Sequence, residues 1–293
     1  MPEKSKSTQR TLGYTFLILA GLCFAIYIEI ARALDRDLDW QAAALARGFF
    51  GLLTCIPLAW TVRSKLDCFN LKLLLRSGLI CCFTFGILYS ASQIAPADVL
   101  TITSTQPIWI ALIAIILFTA KYTYRFWIAC IIVVAGMILL VTAKPPDSYT
   151  VILLLFLITI LRSFAIILLQ SMKNIPPPII ALHFSIFLTL VAFIVFLFKG
   201  GYSQYEVMLN TKGIFLLIGI GLTANLFIIF SVKVVHILGS ISCGVIGLVA
   251  AVIAYLIDIF LWNDPVSKLH ILGLFLVLIP VAWIVLSKHV EKK

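Results

Sequence analysis

The sequence predicts an all-α polytopic membrane protein, with ten transmembrane helices arranged as two inverted five-helix repeats. Three observations predict it. Of 293 residues, 62% are hydrophobic and only 12% are charged, whereas soluble domains carry about 25% charged residues. The apolar residues fall into ten stretches of about the 17–25 residues that a helix needs to cross a bilayer. The order of polar residues along the first five stretches is echoed, weakly but in sequence, along the second five. Such a chain has more apolar surface than a water-facing globule can bury, so the lipid bilayer is its solvent.

The spans lie at about 12–31, 41–62, 73–95, 98–120, 124–143, 149–171, 177–198, 212–235, 237–261 and 269–287. The first is preceded by Lys4, Lys6 and Arg10 and followed by Ala31-Arg32-Ala33, which resembles a cleavage site. Its apolar run is longer than a signal-peptide core, so an uncleaved first helix is expected. The second span carries Arg47. Between it and the third, residues 63–78 (RSKLDCFNLKLLLRSG) read as a short interfacial segment leading into the membrane. The third and fourth spans meet at Ala95-Pro96-Ala97-Asp98, a tight hairpin. The fourth contains Pro107, which lacks an N–H and frees a carbonyl in the preceding turn. Turn residues mark other breaks, at 35–39, 144–147, 174–178 and 262–265.

Lys and Arg placement sets the orientation. Fourteen of the 22 lie at the set of ends that includes both termini, six lie at the opposite set, and Arg47 and Arg162 sit inside spans. The bias places both termini in the cytoplasm. The sequence has no N-x-[ST] glycosylation acceptor, which favours a bacterial inner membrane over a glycosylating compartment. The net charge of +10 is scattered over short loops and reports topology, with no nucleic-acid partner implied. The seven cysteines lie mostly in apolar runs, without Cys-x-x-Cys or zinc spacing, and read as small apolar fillers. Neither a metal nor a cofactor is implied.

The repeat is visible at offsets of 135 to 141 residues. Ser90 falls on Ser231, Thr101 on Ser242 and Ile108 on Val249. ALARGFF beside IALHFSI sets Arg47 opposite His183, and Tyr27 falls opposite Arg162. The first half is then residues 1–146 and the second 147–293. Five spans is an odd number, so homologous halves insert with opposite orientation, a recurring build of secondary transporters.

Local motifs carry a resemblance. LARGFF at 45–50 resembles an arginine–aromatic segment of the second helix of EamA-type transporters, in the drug/metabolite transporter superfamily. The run from Tyr89 through Phe118 resembles that family's third and fourth helices, with Pro107 at its fourth-helix proline, and Trp127 to Gly136 resembles the fifth. The loop AKYTYRF lacks the acid often found after the fourth helix, and Leu248 or Val249 replaces the matching proline of the second half, although Asp264 sits near the later acidic position. The resemblance implies a secondary transporter, commonly an exporter of amino acids or other small metabolites.

Charges within spans are costly and by default functional. Arg162 lies near the middle of the sixth span and is expected to face substrate or to pair with an acid or a carbonyl. Arg47 lies nearer the outer face, level with Glu29 and Asp258, so an ion pair with one of these competes with substrate contact. Glu29 and Asp258 are also candidates for proton coupling, since burial favours a neutral carboxyl. His183 titrates near neutrality if it is solvated and is otherwise a core hydrogen-bonding group. Thr105, Gln106 and Trp109 cluster around Pro107. They either satisfy the broken helix or form, with Tyr89 and with Asn225 from the eighth span, the polar and aromatic walls of a pocket.

The function expected is secondary transport, in the export direction, of a small polar metabolite such as an amino acid or another carboxylate-bearing compound. Movement is through a central cavity by alternating access, with a proton as a candidate coupling ion. The competing readings are a membrane-embedded enzyme and a non-transporting receptor or structural protein. The chain has no His-Glu-x-x-His, Gly-x-Ser-x-Gly or nucleotide-binding loop, which disfavours an enzyme and an ATP-driven pump.

Overall fold

A computed structural model describes residues 2–35, 38–62, 70–118, 123–143, 149–198, 211–240, 242–263 and 268–286. Their helices are α1 (Pro2–Asp35), α2 (Trp40–Val62), α3 (Leu71–Gln93), α4 (Pro96–Thr103), α5 (Gln106–Phe118), α6 (Tyr124–Ala143), α7 (Tyr149–Gln170), α8 (Pro177–Phe198), α9 (Thr211–Leu238), α10 (Cys243–Phe260) and α11 (Lys268–Leu286). The described part of the chain is helical throughout. Eight helical segments, one of them the α4–α5 rod, are long and apolar enough to span a membrane. The expected fifth and tenth spans, α6 and α11, contribute the shorter apolar stretches Tyr124–Gly136 and Ile271–Trp283. Eight spans, rather than ten, therefore meet the length and hydropathy of a crossing helix among the described residues. Residues 63–69 of the expected interfacial segment, the break at 144–147, Lys121, Lys199 and Asp264 lie outside the described residues.

Local chemistry sets the boundaries. Asn70 caps α3, its side chain accepting from the backbone N–H of Lys72 and Leu73, which supplies partners to orphan donors of the first turn. The 95–98 hairpin is present: Ile94 and Ala95 leave the helical region and Pro96 opens α4, where its missing N–H costs nothing. Pro107 splits the fourth span at Ser104–Thr105. The hydroxyls of Thr103, Ser104 and Thr105 each donate to a carbonyl three residues back, at 2.7–3.1 Å. These hydroxyls add donors to the carbonyls of Leu100, Thr101 and Ile102 in the turn that leads into the bend.

The break between the eighth and ninth spans differs most in kind from expectation. The eighth span does not end at 235 with the ninth resuming at 237; α9 continues to Leu238. The turn is made at Gly239, whose φ of 94° lies where a side chain is disfavoured, so the helix ends in a left-handed glycine.

Packing pairs each helix with distant ones. α1 packs on α9 and α10, α3 on α7 and α8, α2 on α8 and α9, and α6 on α11. The α4–α5 rod lies against α7 and α10. Phe24 of α1 stacks on Phe227 of α9 with centroids 4.3 Å apart and planes 7° from parallel. Small residues allow the closest crossings, as expected where lipid gives no hydrophobic drive for association. A Cβ on Gly244 of α10 would lie 1.8 Å from Cγ of Pro107, and one on Gly247 would lie 3.0 Å from Cα of Ser104. Outward faces remain apolar, as at Leu153, Ile116 and Phe198.

Candidate functional site

Helices α2, α3, α7, α9 and α10 enclose a small cavity between them. Arg47, Arg76 and Arg162 line it, with Phe83, Phe227, Ser231 and Cys243 and an aliphatic wall that includes Ile80 and Ile166. Its volume of about 30 Å³ is room for a water or two. The three arginines are 3–5% exposed, and among the described residues none that lines the cavity is acidic.

The three are held differently. Arg47 NH1 donates to Tyr27 Oη at 2.7 Å and to Thr84 Oγ1 at 2.8 Å, and its guanidinium lies over the rings of Tyr27 and Phe184. Arg162 faces three rings, with its guanidinium carbon 4.7 Å from the centroid of Phe83, 5.1 Å from Phe24 and 5.3 Å from Phe227. Cation–π contact of this kind is worth more when desolvated, roughly 2 kcal/mol. Arg76 has the fewest contacts: its Nε and NH1 are buried without a hydrogen-bond partner, as is Nε of Arg47.

Arg76 is the residue that sequence reasoning missed. It counts there among charges at a cytoplasmic helix end, whereas the structure buries it. A signal was present. Leu73, Arg76, Ile80 and Phe83 follow helical spacing, and all four are buried, so the arginine sits on the inward stripe of α3. Ser231 and Cys243 were also not picked out, because nothing in a single small side chain distinguishes lining from packing.

The expected ion pair between Arg47 and Glu29 or Asp258 is replaced by other partners. Asp258 Oδ1 accepts from Arg32 NH1 at 2.7 Å, and its Oδ2 accepts from the backbone N–H of Ala97 at 3.1 Å. Glu29 Oε2 accepts from Trp262 Nε1 at 2.8 Å. Arg32 also lies 4.6 Å from the Trp262 ring centroid. Arg32 is one turn beyond Glu29 on α1 and takes Asp258 at the end of α10, while Arg47 bonds Tyr27 and Thr84. These contacts fasten α1, the start of α4 and the end of α10 together.

The other candidates are dispersed. His183 Nδ1 shares a hydrogen bond with Ser77 Oγ at 2.9 Å, joining α8 to α3. Asn225 Nδ2, with two hydrogens to donate, faces the carbonyl of Gly51, Thr54 Oγ1 and Cys55 Sγ, and Oδ1 accepts from Ser185, so it fastens α9 to α2 and α8. Tyr89 packs edge-on to Trp40. Gln106 is buried, with Nε2 unpartnered. Thr105 and Trp109, joined by a 3.3 Å hydrogen bond, line a separate apolar groove of about 560 Å³ between α5, α6 and α7. That groove opens past exposed Trp127, Val134 and Tyr149. Among the described residues, no cluster of His, Cys, Asp or Glu could hold a metal ion.

Helices of spanning length around a buried charged cavity define a multi-pass membrane protein. Residues 11–142 match the EamA-like transporter family, part of the drug/metabolite transporter superfamily. The matched half is also the half that holds the proline and arginine–aromatic motifs. A crystal structure of another protein shares the fold at a TM-score of 0.67 and 12% identity, over 93% of this chain and 96% of that one. Comparison with curated proteins gives no match.

Proposed function

We propose that the protein is a secondary transporter that exports a small carboxylate-bearing metabolite through the arginine-lined cavity by alternating access. The observation that carries this reading is Arg162: a side chain 3% exposed, held among three phenyl rings, in a cavity whose described lining residues include no acid. A planar fork so placed recognises a carboxylate in two-point fashion. Arg47, set by Tyr27 and Thr84, supports the same anion. The cavity is smaller than a metabolite, so the helices around it separate to admit one.

Residues 1–146 and 147–293 act as inverted halves in this reading. The packing supports it, because shifting each span by five exchanges the contacts: α1 on α9 becomes α7 on α3, and α1 on α10 becomes α7 on the α4–α5 rod. The pairs α2 with α8, α6 with α11 and α4 with α10 map onto themselves, as helices on a two-fold axis do. Both termini are cytoplasmic, in a bacterial inner membrane, following the Lys and Arg bias. That bias survives the loss of Arg76 to the interior. The outer end is then the one closed by Arg32 and Asp258, and Glu29 and Asp258 are the groups there that a coupling proton would titrate.

The test is flux. Purified protein in proteoliposomes carries a labelled carboxylate in a saturable manner, and Arg162→Ala reduces that flux at least tenfold. Normal transport by Arg162→Ala rejects the binding role.

A further inference from the structure

Three cations in one small buried cavity is more than a single carboxylate requires. Arg47, Arg76 and Arg162 approach it from three different helices. Asp258 is engaged with Arg32, and Glu29 with Trp262; neither lines the cavity. Buried charge without a counter-charge is expensive, and buried donors without acceptors add to that cost. Nε and NH1 of Arg76 and Nε of Arg47 are such donors. A site that retains them is shaped for what it receives rather than for the stability of the empty protein.

We propose that this cavity selects a compact anion carrying two or more negative charges, a dicarboxylate or a phosphate monoester, and rejects zwitterionic amino acids. This rests on the reading of the cavity as the transport site and narrows its substrate class. The charge count argues it first. A monoanion leaves two guanidiniums uncompensated, and a zwitterion, with no net charge, leaves all three. The ammonium argues it second. Among the described residues no carboxylate lines the cavity to receive one, and the rings of Phe83 and Phe227, the alternative partners for a cation, already face Arg162. The remaining polar lining, Ser231 and Cys243, is neutral. Dicarboxylates and phosphate esters, in contrast, present several acceptor oxygens to forks arriving from separate directions. The aliphatic wall of Ile80, Ile166 and Ile228 suits a short carbon skeleton.

The full chain, purified in detergent at constant ionic strength, is heated with succinate, glycerol phosphate, inorganic phosphate, acetate or glutamine. Ligands that bind the folded state raise the melting temperature by mass action. Succinate or the phosphates raise it saturably, and the arm that responds separates a dicarboxylate site from a phosphate site. Acetate and glutamine at equal concentration give a shift at least tenfold weaker in apparent affinity. Arg76→Gln weakens dianion binding at least tenfold, and Arg76→Lys restores part of it. Arg76→Gln melts no lower than the parent without ligand, which shows that lost binding is not lost folding. Glutamine matching succinate, no dianion binding, or an unchanged response in Arg76→Gln overturns the proposal. Flux in liposomes separates it from the reading beneath it. Dianion binding without flux rejects transport and keeps the selectivity, whereas glutamine flux that survives Arg76→Gln rejects the selectivity and keeps transport.

Discussion

Arg32 on α1 donates to Asp258 on α10 at 2.7 Å, and the same carboxylate accepts the backbone N–H of Ala97 at the start of α4. One acid thereby holds three helices at one end of the bundle. Asp258→Asn weakens both bonds. Arg32 is about a quarter exposed, with 24% of its side-chain surface accessible, so solvent screens part of the charge. The expected loss is about 1–2 kcal/mol, below the upper range for hydrogen bonds to charged groups. Arg32→Gln combined with Asp258→Asn costs less than the sum of the two singles, because both act on one contact. Denaturation of the four proteins in a single detergent measures the coupling, and strict additivity excludes it.

Much of this architecture was legible because hydropathy and turn residues report it directly. The limits of α6 and α8 agree to the residue, since Tyr124 and Pro177 follow polar or proline-rich breaks. The fourth-span bend was readable from Pro107. The end of α9 was not, because Val235, Ile237 and Leu238 continue the apolar run and only Gly239 stops it. Site partners were less readable still. Arg47 and Asp258 fall at similar expected depths, but depth says nothing about which face of a helix a residue occupies or which helix it faces. Arg76 was lost for the opposite reason: proximity to a helix end masked its place on a buried stripe. Packing between distant helices, which decides both cases, leaves little trace in one sequence.

Tyr27 positions Arg47. Its hydroxyl accepts at 2.7 Å and its ring lies 4.5 Å from the guanidinium carbon, so Tyr27→Phe keeps the ring and removes the acceptor. Thr84 still accepts from the same nitrogen. The expected cost is about 1–3 kcal/mol, that of a buried charged donor left unsatisfied. Thr84→Val with Tyr27→Phe removes both acceptors and costs more than either alone. Thermal unfolding in detergent checks the order, and Tyr27→Phe melting with the parent contradicts it.

Two glycines give a contrast that sequence cannot. A methyl group at Gly244 would lie 1.8 Å from Pro107 Cγ and 2.6 Å from its Cδ, against a rigid ring with no rotamer to yield. Gly244→Ala forces α10 away from the α4–α5 rod, and overpacking of this kind costs roughly 1–3 kcal/mol. At Gly78, within α3, a Cβ would meet nothing within 4 Å. Gly78→Ala is neutral or stabilising, by up to about 1 kcal/mol, because alanine is the better helix former. Equal melting temperatures for the two variants would refute the close crossing of α5 and α10.

Arg162→Lys distinguishes a planar recognition group from a simple charge. The guanidinium lies within 4.7–5.3 Å of three ring centroids, a setting that suits a flat, weakly hydrated cation. Lysine keeps the charge but replaces the fork with a compact, strongly hydrated ammonium that must shed its water to enter the same space. The variant folds, because the positive charge over Phe83 and Phe227 is retained, yet anion binding falls at least tenfold, about 1.4 kcal/mol or more. Binding titrations beside melting curves separate the two effects. Full affinity in Arg162→Lys shows that charge alone suffices at this position, and it leaves Arg47 and Arg76 to supply the directional contacts.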